Sequence, residues 1–88
     1  MKVFVLYREN SDHGRSVVEF ARDFEHQTDK TVELFDMDSR EGYEKARLYD
    51  ITSYPAVVAV KEDGQVLKVW NDPMLPRIQE VSFYAEEK

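Results

Sequence analysis

Tyr54-Pro55 stands directly before the apolar run Ala56-Val57-Val58-Ala59-Val60, and no other stretch constrains the fold as much. Proline has no N–H to donate to a sheet ladder, and it drives the residue before it out of the helical region. The run therefore enters its sheet from a tight turn, and the Tyr54-Pro55 bond is where a cis peptide is expected. That turn, between Ala46-Arg47-Leu48-Tyr49-Asp50-Ile51 and a strand, is the first place to look for function.

A chain of 88 residues makes one domain, residues 1–88, and buries only about 60 to 65% of its unfolded surface. It has no cysteine, which removes disulfides, cysteine zinc sites and every thiol mechanism that would rely on this chain. A formal net charge of -6, with the twelve Lys and Arg scattered, repels phosphate backbones and argues against nucleic acid. Lys2-Val3-Phe4-Val5-Leu6-Tyr7 is too short for a membrane span or a signal core and reads as a first strand, so no membrane partner and a cytoplasmic location are expected.

Residues 2–7 and 56–60 are apolar on both faces, as strands inside a sheet are. Residues 31–38 and 65–70 alternate less cleanly, the second with Lys68 mid-run, and suit sheet edges. Val17, Phe20, Ala21 and Phe24 at helical spacing predict an amphipathic helix over 14–27, with His26 near its negative end. Strand, helix, strand implies a right-handed crossover with parallel strands. A second helix is expected over 40–50, with Tyr43, Ala46 and Tyr49 near one face. Glu62-Asp63-Gly64 sets a hairpin, Gly64 taking positive φ. After Asn71-Asp72-Pro73 closes the sheet, a last helix should start near Leu75 or Pro76 and bury Leu75, Ile78, Val81 and Ala85, leaving a frayed tail at Glu86-Glu87-Lys88.

This order, with a proline entering the third strand, resembles the thioredoxin and glutaredoxin family over nearly the whole chain. The most specific local likeness is Ala46-Arg47-Leu48-Tyr49-Asp50-Ile51-Thr52-Ser53-Tyr54-Pro55, which is similar to the thioredoxin stretch leading to its cis-proline; Asp36-Met37-Asp38 and Asp63-Gly64-Gln65 also look like that family. The resemblance implies an α/β thioredoxin-like fold: a four-stranded mixed sheet in order 2-1-3-4 flanked by three helices. It also implies that Ser11-Asp12-His13-Gly14 occupies the place of the Cys-x-x-Cys, and Val5 that of a buried aspartate. Thiols and proton relay are missing together, as in a site abandoned as a unit.

These residues bring several chemistries into question. Ser11 with His13 as base is one, but two residues apart face different sides of a turn, and Ser11 or Asp12 is expected instead to cap the first helix. A metal on Asp12, His13, Asp36 and Asp38 lacks convergent ligands, so none is expected. Glutathione, which the resemblance brings to mind through serine-bearing transferases, is disfavoured because a helical second domain and a double glycine after the last strand are both missing. No cofactor is expected. Trp70 is expected to anchor the last helix to the sheet. By resemblance, Ser53, Tyr54 and Pro55 present backbone to a partner, with Tyr54 exposed beside residues 11–14. The expected function is a redox-inactive module that binds a protein or peptide segment through the cis-proline groove, the alternatives being an enzyme using Ser11 and His13, perhaps with glutathione, and a structural subunit.

Overall fold

A computed structural model describes residues 2–71 and 74–85 of the chain. The chain runs β1 (Lys2–Tyr7), α1 (Gly14–Thr28), β2 (Val32–Asp36), α2 (Arg40–Leu48), β3 (Ala56–Val60), β4 (Val66–Trp70) and α3 (Ile78–Ala85). The sheet order is β2-β1-β3-β4, with β1 and β2 parallel and the pairs β1/β3 and β3/β4 antiparallel. The two strands that are apolar on both faces are the two central ones. Every residue of β3 is buried, as is all of β1 after Lys2.

Alternation splits the core between the sheet's two faces. Val3, Val5, Tyr7, Val57 and Ala59 join Val17, Phe20, Ala21 and Phe24 of α1 and Val81 of α3, while Phe4, Leu6, Ala56, Val58 and Val60 join Met37, Ala46 and Ile51 on the α2 side. Each fully buried Val, Leu or Phe contributes about 1.5–3 kcal/mol, so a chain with no covalent staple rests on these two layers. Trp70 meets Tyr84 edge-on with ring centroids 5.4 Å apart, tying β4 to α3. Its indole N–H has no acceptor among the described residues, so ring packing holds it in place. Lys68 is exposed on the edge strand, where a charge discourages further pairing. No helix among the described residues is long and apolar enough to cross a membrane.

Three element ends differ from expectation, the first because a distant group intervenes. The second strand stops at Asp36, short of residue 38, because the Met37 N–H turns to the Tyr7 carbonyl at 2.7 Å and the Asp38 N–H to Asp36 Oδ1 at 3.0 Å. The second helix ends at Leu48; Tyr49 caps it and Asp50 adopts left-handed backbone at φ 58. Ala46 is buried, but Tyr43 is 55% exposed, so the expected shared face is incomplete. The last helix starts at Ile78, with the Glu80 and Val81 N–H groups donating to the Arg77 carbonyl, so Pro76 precedes the helix and does not sit in its first turn. Leu75, Ile78 and Val81 do pack on the α1 side, whereas Asp72, Pro73, the Ala85 side chain and the tail from Glu86 lie outside the described residues. The hairpin closes as expected, with Gly64 at φ 94 and the Lys61 N–H on the Gln65 carbonyl at 2.8 Å.

Candidate functional site

At the C-terminal end of β1 the chain makes an exposed turn before α1, and Arg8 is its hub. The Arg8 N–H donates to His13 Nε2 at 3.1 Å, its carbonyl accepts from Ser11 Oγ at 2.5 Å, and its guanidinium meets Asp38 Oδ1 at 2.5 Å. Neither Ser11 nor Asp12 caps α1. The cap residue is His13, with no side-chain cap bond, because Ser11 turns its hydroxyl back to Arg8. Gly14 lets the helix start close to the strand end: an added Cβ would strike the Glu9 carbonyl oxygen.

This arrangement bears directly on a Ser11/His13 catalytic pair. Both side chains are engaged with the two sides of the Arg8 backbone, and the imidazole nitrogen that would take a proton is already accepting one hydrogen bond. A seryl nucleophile needs a base within reach of its own hydroxyl, and here the hydroxyl donates to a carbonyl. Among the described residues no three His, Asp or Glu side chains converge as metal ligands. Asp36 and Asp38 are committed instead to the turn and to Arg8. Tyr7, buried at the end of β1, has its phenol raised above the usual value by burial first and then by the Glu9 and Asp36 carboxylates, so it stays neutral.

A groove of about 570 Å³ opens beside this turn, lined by Asp12, His13, Ser16, Pro55, Met74 and Leu75. Of the residues predicted from sequence, Asp12, His13 and Pro55 come together there. Ser11 and Gly14 shape the turn without lining the groove, and exposed Ser53 lines neither this groove nor the neighbouring pocket. The Tyr54-Pro55 peptide is cis, yet Tyr54 is half-buried and not the exposed residue expected. Its hydroxyl donates to the Ile51 carbonyl at 3.2 Å, and its ring packs with the α2-side core. It lines a separate pocket of about 320 Å³ with Tyr43, Arg47 and Asp50 among others. Consecutive residues thus serve opposite sides of one ridge. Sequence reasoning missed Met74 and Leu75. Met74 is 83% exposed, and its position just beyond the sheet-closing segment was the available signal.

No family model matches the chain, and no curated protein matches it in sequence. Among solved structures, it superposes on thioredoxin 1 from the thermophilic eubacterium Thermosipho africanus with a TM-score of 0.67 at 16% identity, covering 98% of this chain and 91% of that one. A designed protein is similar at a TM-score of 0.71 and 21% identity, over 97% of this chain and 72% of that one. The chain has a thioredoxin-like fold, and the likeness is one of fold.

Proposed function

We propose that the domain is a redox-inactive recognition module that holds an extended segment of another protein in the groove between the Arg8–His13 turn and Pro55. The observation that carries this reading is the groove itself: an open slot lined on one side by Asp12, His13 and Ser16 and on the other by Pro55, Met74 and Leu75. A chain without cysteine exchanges no disulfide there, and binding is the use that this reading gives the surface. Met74 suits such a role because an exposed thioether adapts its shape to an apolar partner. Anchoring thus falls to Met74 and Leu75, since the Tyr54 ring is turned to the other side of the ridge.

The test is selection of a displayed random-peptide library on the wild-type domain, followed by NMR mapping of the winning peptide. Amides of residues 12–16, 54–56 and 74–75 should shift first. Met74→Asp should weaken binding by roughly ten-fold or more, the scale of one interface anchor, while leaving the unfolding midpoint in place. Shifts confined to the outer faces of α1 and α3, or to the Tyr43 and Arg47 pocket, would overturn the reading.

A further inference from the structure

We propose that His13 is a protonation-controlled latch on the groove wall: the neutral imidazole holds the Arg8–His13 turn, and adding a proton releases it. The geometry rests on one bond, the Arg8 N–H donating to His13 Nε2 at 3.1 Å. A ring nitrogen that accepts carries no proton, so the imidazole is neutral and its hydrogen is on Nδ1. The imidazolium has two donors and no acceptor. Protonation therefore does more than weaken this bond, because it sets one N–H donor against another.

The loss would reach beyond one pair, since the same Arg8 also receives the Ser11 hydroxyl and pairs with Asp38. Asp12, adjacent to His13 on the groove wall, and the Glu9 carboxylate on the turn favour the cation. The positive start of α1, which has no acid in its first turn, opposes it, while exposed Arg15 pairs with Glu19. The Arg8 guanidinium opposes it too but is offset by Asp38, whose N–H is held in turn by the Asp36 carboxylate. Across the groove Pro55, Met74 and Leu75 bring no charge. The contact that the geometry itself gives is the hydrogen bond from the Arg8 N–H. Imidazoles as a class change charge between about pH 5 and 8, so the comparison that tests the latch runs across that range, with the turn expected to be held at the upper end and released at the lower. The consequence for partner binding rests on the groove proposed above: an apolar segment loses a neutral, ordered wall on acidification.

The experiment is NMR of the whole, unliganded protein at pH 8 and pH 5. At pH 8 the His13 ring should show the Nδ1–H tautomer. As His13 titrates, the Arg8 amide should shift and its protection factor should fall roughly ten-fold, about the equivalent of one hydrogen bond. His26, in the last turn of α1, serves as the internal comparison and should leave Arg8 unmoved. His13→Gln, which offers a carbonyl acceptor that does not titrate, should abolish the pH response of Arg8. An Nε2–H tautomer at pH 8, an Arg8 amide indifferent to the titration, or an unchanged response in the variant would overturn the latch. Because these readouts need no ligand, they are separate from the groove reading. That reading fails if no library peptide is selected, whereas a selected peptide that binds equally at both pH values would sever the latch from binding.

Discussion

Ser11-Asp12-His13-Gly14 and Ser39-Arg40-Glu41-Gly42 follow the same pattern, each leading from the end of one of two parallel strands into the helix that follows it. In both, the serine hydroxyl donates to the carbonyl three residues back, Ser11 to Arg8 at 2.5 Å and Ser39 to Asp36 at 2.6 Å. In both, a Cβ on the glycine would strike a carbonyl oxygen near the strand end. Yet only one is a helix cap. Ser39 is extended and its oxygen accepts the Gly42 N–H at 3.0 Å, so α2 starts at once, whereas the Gly14 N–H turns to the Ser11 carbonyl at 3.2 Å and α1 waits until Gly14. The difference lies in what pins each loop. Met37 is buried and its N–H is tied to β1, while residues 8–12 are exposed and held by His13 and Asp38. A loop anchored in the core became a plain helix start. The loop without that anchor left Asp12 and His13 on a groove wall.

The largest expected effects come from what the two loops share. Gly42→Ala and Gly14→Ala should each destabilise the fold by about 1–3 kcal/mol in urea unfolding, since the clash is with backbone that cannot step aside. This net loss includes the roughly 1 kcal/mol by which alanine is otherwise the better helix residue. A neutral or stabilising result at Gly14 alone would mean that the exposed loop yields where the anchored one does not, sharpening the contrast into one of rigidity. Next comes what the loops do not share. Ser39→Ala should cost about 1 kcal/mol as the loss of a helix cap, and Ser11→Ala about 0.5 kcal/mol or less as a surface change. Equal losses would break the comparison, because Ser11 would then be capping α1 in solution.

The same contrast shows how far the sequence could be read. Strands without a polar face were legible as the sheet's centre, because burial on both sides leaves no room for alternation. The Asp63-Gly64 hairpin was legible because a positive φ is a local demand. Two Ser-x-x-Gly stretches were not separable, since the choice between cap and turn depends on partners distant in sequence: Tyr7 for one and Asp38 for the other. The strand end at Asp36 was hidden for that reason too. Pro55 was placed in the site from its neighbours in sequence, but the side taken by the Tyr54 ring depended on Ile51 and the α2-side core. Met74 and Leu75 meet Pro55 only in the folded chain, and their place just beyond the sheet-closing segment hinted at a role without saying which surface they would line.

The smallest expected effect concerns the ion pair that joins the two loops. Arg8 and Asp38 approach to 2.5 Å, but their side chains are 50% and 57% exposed, and exposed pairs contribute about 0–1 kcal/mol. Asp38→Asn should therefore lower stability by about 0.5 kcal/mol or less. The Asp38 N–H still bonds the Asp36 carboxylate, so the β2–α2 turn and its Ser39 cap should persist, and chemical-shift changes should be confined to residues near Arg8 and His13. Salt provides the control. Near 1 M, where the Debye length falls to about 3 Å, the wild type should lose most of its margin over the variant. A loss above roughly 2 kcal/mol, well beyond the surface-pair range, or shifts running into α2, would show that the loops are one cooperative unit. The Arg8–His13 turn would then owe its shape to the anchored loop through Asp38, and the His13 imidazole would be secondary in holding it.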